Sequence, residues 1–186
     1  EIGGGLVGSE MCIRDSIMTD KQVSKSKPKV AIVMGSESDW SVMRKVTEVF
    51  DEFLVEYESK IISAHRTPDL MSDFSKNAIS NGFQYIIAGA GGAAHLPGMI
   101  ASNTTLPVIG IPIPTTHLEG TDSLLSIVQM PKGIPVATFA IGEPGAVNSA
   151  LYVISLLAIH DSNMEKKLAK YRKDQTNKVL KMKLEK

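Results

Sequence analysis

Short apolar runs alternate with amphipathic segments from Lys29 onward. This alternation is typical of βα units that build a parallel sheet. The apolar runs predict five strands, at residues 29–35, 55–62, 83–89, 107–112 and 135–140. Because the strands of a parallel sheet are buried between helices, the pattern predicts a doubly wound α/β domain.

Helical spacing of apolar residues between the strands predicts the helices. Ser38 or Asp39 is expected to cap the first helix, and Thr67 the second, which Gly82 ends in a left-handed conformation. Further helices are predicted at about 93–103, near 121–129 and at 144–160. The last of these contains no Asp, Glu, Lys or Arg, but it is short for a membrane span and we expect a core helix.

The start of the chain differs from the region that follows it. Residues 1–16 contain three consecutive glycines and resemble translated sequencing-adaptor read-through, so Met18 is the expected natural start. We therefore exclude residues 1–27 from the fold as a disordered or non-native leader. The predicted α/β domain, which holds the candidate site, spans residues 28–161.

The end of the chain is strongly basic. Residues 162–186 carry nine basic and three acidic side chains, with Met164, Leu168 and Tyr171 at helical spacing and the apolar stripe continuing over 175–179. Because the charges alternate with apolar residues, a solvated helix face is favoured over a nucleic-acid-binding tail. We expect a helical extension that packs on the domain or on a neighbouring subunit.

Composition narrows the classes of partner. The 186 residues suffice for one domain, and 20 basic and 20 acidic side chains favour neither nucleic acid nor a membrane. One Trp, four Tyr and five Phe are few for base stacking or for a flavin site. The single cysteine, Cys12, forms no internal disulfide and suits the cytoplasm, and the four histidines lack a metal-site spacing. A small neutral or anionic metabolite is the expected partner.

Three loops that follow strands carry the candidate chemistry, because doubly wound sheets bind ligands at the carboxyl ends of their strands. The first contains Gly35, Ser36, Ser38 and Asp39. Its hydroxyl groups and helix-start amides can hold a phosphate, and its carboxylate can accept hydrogen bonds from ribose hydroxyls. The same residues can instead only cap a helix, and this loop alone does not distinguish the two.

The second loop places His65 and Arg66 side by side, after Ser63 and Ala64. Arginine binds phosphate through two parallel hydrogen bonds, and imidazole can carry a proton near neutral pH. This pair therefore indicates phosphate binding next to a proton carrier. A structural histidine beside a surface arginine is the alternative.

The third loop is rich in small residues and carries a second histidine. Its candidate residues are Gly89, Gly91, Gly92, Ala93, His95 and Leu96. Small side chains leave room for a ligand, and exposed backbone amides in an apolar pocket can orient a carboxylate or hold carbon dioxide. A glycine-rich connection required only for helix–strand packing is the alternative.

Other well-known chemistries lack their motifs here. The chain has no G-x-S-x-G sequence typical of α/β-hydrolases. It also has neither a G-x-x-x-x-G-K-[ST] phosphate loop nor a G-x-G-x-x-G sequence after a strand. Hydrolase, nucleoside-triphosphatase and dinucleotide-dependent functions are therefore disfavoured.

Four sequence blocks together resemble a known family. They are MGSESDW at 34–40, SAHRTP at 63–68, AGAGGAAHLPGM at 88–99 and SIVQMPKGIPVATFAIG at 126–142. In this order and spacing they resemble the class I N5-carboxyaminoimidazole ribonucleotide mutases of purine biosynthesis, over about residues 29–178. The related class II enzymes, which carboxylate aminoimidazole ribonucleotide with free carbon dioxide, differ at the second and third loops and are the alternative.

The resemblance implies a flavodoxin-like three-layer α/β/α sandwich assembled as a homo-octamer. It implies an isomerase that moves a carboxylate from the exocyclic amine of a ribonucleotide to ring carbon C4, without ATP, metal or organic cofactor. The nucleotide contacts of the family correspond to Ser36, Ser38, Asp39, Ser63 and Arg66. Its catalytic histidine corresponds to His65, and the flexible segment that closes over the base corresponds to 89–99.

Our expected site follows from the loops and from this resemblance. His65 is the expected proton carrier, with His95 secondary. The expected substrate-binding residues are Gly35, Ser36, Ser38, Asp39, Ser63, Ala64, Arg66, Gly89, Gly91, Gly92, Ala93 and Leu96. The segment 114–119 departs from the pattern we would expect in the family, which leaves His117 without an assigned role.

Two other protein classes share the predicted architecture. A response regulator needs clustered acidic residues after the first strand and an aspartate after the third, where this chain has MGSES and IAGAGG. A flavodoxin-type electron carrier needs aromatic residues flanking its phosphate loop. We therefore expect an enzyme, and the apolar segment 144–160 predicts that it forms an oligomer.

Overall fold

The computed structural model describes residues 29–184 and contains a five-stranded sheet whose strands all run parallel. The strands are β1 (Lys29–Met34), β2 (Glu56–Ile61), β3 (Phe83–Gly91), β4 (Val108–Ile113) and β5 (Ala137–Thr138). Their order in the sheet is β2-β1-β3-β4-β5. This order reverses direction between β1 and β3, which is the flavodoxin-like arrangement.

Helices cover both faces of the sheet. They are α1 (Trp40–Phe53), α2 (Pro68–Asn77), α3 (Leu96–Ala101), α4 (Thr121–Val128), α5 (Glu143–Ala158) and α6 (Ser162–Leu180). Alternate residues of β1 enter two separate cores, because successive side chains of a strand point to opposite faces. Val30 and Ile32 pack with α1, α5 and α6, whereas Ala31 and Val33 pack with α2, α3 and α4. The predicted flavodoxin-like three-layer sandwich is confirmed.

Three predicted element boundaries are wrong. Strand β5 is in register with β4 only at Ala137 and Thr138, and one further bond runs from the Phe139 amide to the Gly110 carbonyl. At the start of the predicted longer strand, Pro135 has no N–H to donate. Helix α3 is shorter than 93–103, because residues 93–95 form tight turns instead. Helix α2 ends at Asn77, and the positive φ of 83° at Gly82 belongs to the turn that leads into β3.

The C-terminal helix packs on the domain with its first half. Leu168 is buried, and Tyr171 lies against Phe53 with ring centroids 5.7 Å apart. Val179 is 61% exposed, so the predicted stripe contacts the domain only as far as Tyr171. The predicted leader, residues 1–27, lies outside the described residues. No helix in the described part of the chain is both long enough and apolar enough to cross a membrane.

Candidate active site

A cleft of about 510 Å³ lies at the carboxyl ends of β1 to β4. Its volume is within the range of small-molecule sites, and it includes the point where the strand order reverses. All three predicted loops contribute to it. The predicted residues that line it are Gly35, Ser36, Ser38, Asp39, Ser63, Ala64, His65, Arg66, Gly91, Ala93, His95 and Leu96.

The first loop folds around its own polar side chains. The Ser36 hydroxyl accepts a hydrogen bond from the Ser38 amide at 3.4 Å, and the Asp39 carboxylate accepts one from the Ser36 amide at 3.2 Å. Together these bonds form a capping box for the short 3₁₀ helix Glu37–Asp39. Asp39 occupies the N-cap position of α1 without a side-chain cap bond, so the predicted side-chain cap of α1 by Ser38 or Asp39 is wrong.

Asp39 is a desolvated carboxylate in the cleft, 9% exposed. Burial raises its pKa above the ordinary value, although hydrogen bonds from the Ser36 amide and the Ser38 hydroxyl oppose this rise. The positive charge of Arg66 opposes it as well, more weakly. A buried carboxylate whose oxygens can accept further hydrogen bonds is suited to binding hydroxyl groups of a ligand.

Arg66 joins the second loop to the first. Its Nη2 donates to the Gly35 carbonyl at 2.7 Å, and its Nε donates to the Ser63 hydroxyl at 3.2 Å. Ser63 is itself held by Thr67, whose hydroxyl accepts from the Ser63 amide at 3.0 Å. Thr67 therefore stands at the start of α2 as predicted, but its side chain holds the loop and makes no cap bond to the helix. The guanidinium has five N–H groups, so two bonds leave donors for an anion.

His65 and His95 meet in the cleft. The His65 Nε2 and the His95 Nδ1 are 2.8 Å apart, and the two rings stand nearly perpendicular, at 80°. A bond between two ring nitrogens needs one N–H and one lone pair, so a proton lies between the rings. The arrangement can hold a proton and orient one imidazole by means of the other.

Two predicted residues lie outside the cleft lining. A Cβ at Gly89 would come within 2.3 Å of the Met43 sulfur, so this glycine allows α1 to pack closely on β3. Gly92 has a φ of 69°, in the left-handed region that favours glycine, and its amide donates to the Ser123 hydroxyl at 2.9 Å. Gly89 thus allows helix packing on β3, and Gly92 sets the backbone at the start of the third loop.

Sequence reasoning missed part of the lining. The cleft also includes Ala90, Ile113, Pro114 and Thr115. The last three lie at the end of β4, which the strand order places next to β3. The signal for them was the same as for the other loops, the carboxyl end of a strand beside the switch point. His117, further along, is exposed and is not part of the lining.

A metal cluster is absent from the described part of the chain. Among residues 29–184, no three His, Cys, Asp or Glu side chains lie close enough together to hold a metal ion. The polar groups of the cleft are instead hydroxyl, carboxylate, guanidinium and imidazole groups together with backbone atoms.

Comparisons with known proteins give consistent matches. The family model described as AIR carboxylase matches residues 29–178. The N5-carboxyaminoimidazole ribonucleotide mutase of Saccharolobus solfataricus is 54% identical over 158 residues, which are 85% of this chain and 99% of the relative. The mutases of Escherichia coli and Bacillus subtilis are 53% and 52% identical, over 84% and 83% of this chain and 94% and 95% of each relative. The crystal structure of Treponema denticola PurE has a TM-score of 0.75 and 26% identity, covering 83% of this chain and 95% of that chain.

Proposed function

The chain belongs to the AIR carboxylase family, and we propose that it is an N5-carboxyaminoimidazole ribonucleotide mutase. It is an isomerase of purine biosynthesis that moves a carboxylate from the exocyclic amine to C4 and forms 4-carboxy-5-aminoimidazole ribonucleotide. The observation that carries this conclusion is 52–54% identity to mutases of that name, over 94–99% of the length of three of them. The geometry of the cleft supports the roles that we propose for individual residues.

The nucleotide is proposed to lie along the first two loops. The guanidinium of Arg66 and the hydroxyl groups of Ser36 and Ser38 lie in the same cleft and bind the phosphate, since arginine and hydroxyl groups are strong phosphate donors. The Asp39 carboxylate accepts hydrogen bonds from the ribose hydroxyls. The contact between Arg66 and the Gly35 carbonyl supports this assignment, because it holds the guanidinium beside the serines.

His65 is proposed to carry the proton. When the N–CO₂ bond breaks, its electron pair stays on the exocyclic nitrogen, which takes a proton from His65. When C4 then attacks the released carbon dioxide, a C–C bond forms and C4 returns its proton to the imidazole. One side chain thus serves as acid and then as base, with no net change in its protonation.

His95 is proposed to hold His65 in the orientation that this transfer needs. Its Nδ1 lies 2.8 Å from the His65 Nε2, at hydrogen-bond distance. A partner of this kind selects one ring orientation and one tautomer of the acting imidazole. His95 therefore belongs to the catalytic pair, although the transfer itself is assigned to His65.

Small and apolar side chains are proposed to retain the carbon dioxide. Ala64, Ala90, Ala93, Leu96 and Ile113 line the cleft around the two imidazoles. Apolar side chains on this part of the cleft offer the neutral molecule a surface without a nucleophile. The released carbon dioxide then remains beside C4 until it is captured.

The experiment that tests this function compares two carboxyl sources. The purified protein is given either the N5-carboxylated nucleotide without added bicarbonate, or aminoimidazole ribonucleotide with bicarbonate. We expect product from the first at concentrations where the second gives none. Turnover with the second source alone would instead identify the class II carboxylase, the alternative drawn from the sequence.

A homo-oligomer, an octamer by resemblance, is part of this proposal. Tyr152 on α5 and Ile159 just after that helix are 41% and 69% exposed, and Leu125 and Val128 on α4 are 53% and 47% exposed. These exposed apolar side chains, together with the resemblance, are what support association with further copies of the chain. A monomer mass in sedimentation at micromolar concentration would contradict the oligomer. The cytoplasmic location is proposed from composition alone: the single cysteine, Cys12, lies in the excluded leader, so residues 28–186 contain no cysteine for a disulfide.

A further inference from the structure

We propose that Ser123, in the first turn of α4, is a positioning residue that holds His95 against His65. This inference rests on the proposed function of the histidine pair. Ser123 lies outside the cleft lining and the sequence motifs did not single it out for a role. It acts through the backbone of the two loops that form one wall of the cleft.

The Ser123 side chain is fully buried and joins two segments that are distant in sequence. Its hydroxyl donates to the Ile113 carbonyl at 2.7 Å and accepts from the Gly92 amide at 2.9 Å. A serine hydroxyl has one hydrogen to donate, so both directions are specified by these partners. The end of β4 and the loop after β3 are thereby fixed relative to each other.

The position of Gly92 is passed on to His95 within three residues. The Ala94 amide donates to the Gly92 carbonyl, and the His95 amide donates to the Ala93 carbonyl, each at 2.8 Å. Two consecutive three-residue turns leave the backbone little freedom between these points. A shift of Gly92 therefore moves the His95 ring relative to His65.

Neighbouring residues of α4 support the same two loops. The Ser126 hydroxyl lies 2.7 Å from the Asp122 carbonyl of its own helix and 3.3 Å from the Gly92 carbonyl, and its one hydrogen is shared between these two acceptors. The Thr115 hydroxyl, in the loop after β4, donates to the Asp122 carboxylate at 2.8 Å. Ser123 is the central contact of this group, because it alone bonds to both loops.

The test is Ser123→Ala, measured as kcat and KM separately. The two loops that are proposed to bind phosphate and ribose are not bonded to Ser123, so KM for the nucleotide should stay within about twofold. Misplacement of the histidine pair should lower kcat by about 10- to 100-fold. The matched control is Ser149→Ala in α5, since Ser149 is equally buried and donates to the Ala146 carbonyl at 2.8 Å within its own helix. That control should keep the parental kcat.

A double-mutant cycle separates positioning from general loss of stability. In a His95→Asn background, Ser123→Ala should lower kcat by less than about twofold, because its effect passes through the imidazole already removed. An equal loss of kcat in both backgrounds would overturn the proposal. A parental kcat in the single Ser123→Ala variant would overturn it as well. Both outcomes require a parent with mutase turnover, because a parent without turnover contradicts the proposed function instead.

A second variant keeps the test decisive if Ser123→Ala does not fold. Ser126→Ala removes the contact with the Gly92 carbonyl together with a bond inside α4 to the Asp122 carbonyl, and it leaves both Ser123 bonds in place. The same cycle with His95→Asn applies to it. Hydrogen exchange gives a readout that does not depend on activity: in either serine variant the amides of residues 92–95 should exchange faster than in the parent. Unchanged exchange there in a folded variant would contradict the inference.

Discussion

The two walls of the cleft are held in different ways. The first wall, residues 35–39 and 63–67, is held mostly by hydrogen bonds between residues two to four positions apart, such as Ser36 to Asp39 and Ser63 to Thr67. The second wall, residues 90–96 and 113–115, depends on α4, and Ser123 is 31 positions away from Gly92. Local bonds set the shape of each loop of the first wall, and one long-range bond, from Arg66 to the Gly35 carbonyl, joins the two loops. The second wall takes its shape from long-range bonds to α4.

The difference has a functional counterpart. The first wall is proposed to bind the parts of the nucleotide that do not react, its phosphate and ribose. The second wall is proposed to place His95 and, through it, His65 at the reacting atoms. Apart from His65, which lies in the first wall but is proposed to carry the proton, changes in the first wall should therefore affect affinity, and changes in the second should affect turnover.

The largest expected effect comes from His65→Asn, which tests the residue at which the two walls meet. Asparagine is close in size but carries no titratable proton, so turnover should fall by about 10²- to 10⁴-fold. Nucleotide binding, measured by calorimetry, should be kept. The control is His160→Asn, at an exposed histidine after α5. Near-parental turnover of the His65 variant would move the proton transfer to His95.

Arg66→Ala tests the first wall. Loss of a charge-assisted bond to phosphate should weaken nucleotide binding by about 1.5–3 kcal/mol, with a smaller effect on turnover at saturation. Arg172→Ala, on the exposed face of α6, removes the same charge away from the cleft and should leave affinity unchanged. If titration finds the Arg66 variant as tight as the parent, the arginine is only a surface residue.

Gly92→Ala tests the second wall. The φ of 69° should make alanine cost about 1–2 kcal/mol in the free energy of unfolding, and turnover should fall because the backbone before His95 shifts. Gly82→Ala is the matched control, with a φ of 83° and no atom within 4 Å of the added Cβ. Both variants should lose similar stability by denaturant unfolding. Equal turnover in the two would show that the second wall tolerates the shift.

The smallest expected effect comes from Asp39→Asn, in the first wall. Because the folded-state pKa of Asp39 is raised, its stabilising contribution is present below the unfolded-state pKa and is lost as pH rises through the folded-state pKa. The free energy of unfolding of the variant should therefore fall less than that of the parent between about pH 4 and pH 7. Affinity for the nucleotide should decrease by about 1 kcal/mol.

Its control is Asp73→Asn, at an exposed aspartate of α2. That variant, away from the cleft, should keep the parental affinity for the nucleotide. A difference between parent and Asp39→Asn that has the opposite sign would show that the hydrogen bonds of the first loop outweigh the burial of the carboxylate.

Prediction from sequence succeeded where the signal was local. Five strands, the helices between them and the loops that carry His65, Arg66 and His95 followed from apolar periodicity and turn residues. It was less accurate at β5, where an edge position and a proline shorten the strand to two residues. It also misplaced the side-chain cap of α1, because the hydrogen-bonding choice of Asp39 depends on the fold of its own loop.

The sequence by itself determined the class of each element and which loops carry polar chemistry, since these depend on residues within a few positions of one another. Only the tertiary structure decided that His65 and His95, 30 positions apart, are in contact, and that residues 113–115 complete the cleft. It also decided that Ser123 is buried between two loops. Contacts of this kind form when the strands take the order β2-β1-β3-β4-β5. That order follows from the packing of the whole chain. It therefore has no periodic pattern in the sequence from which it could be predicted.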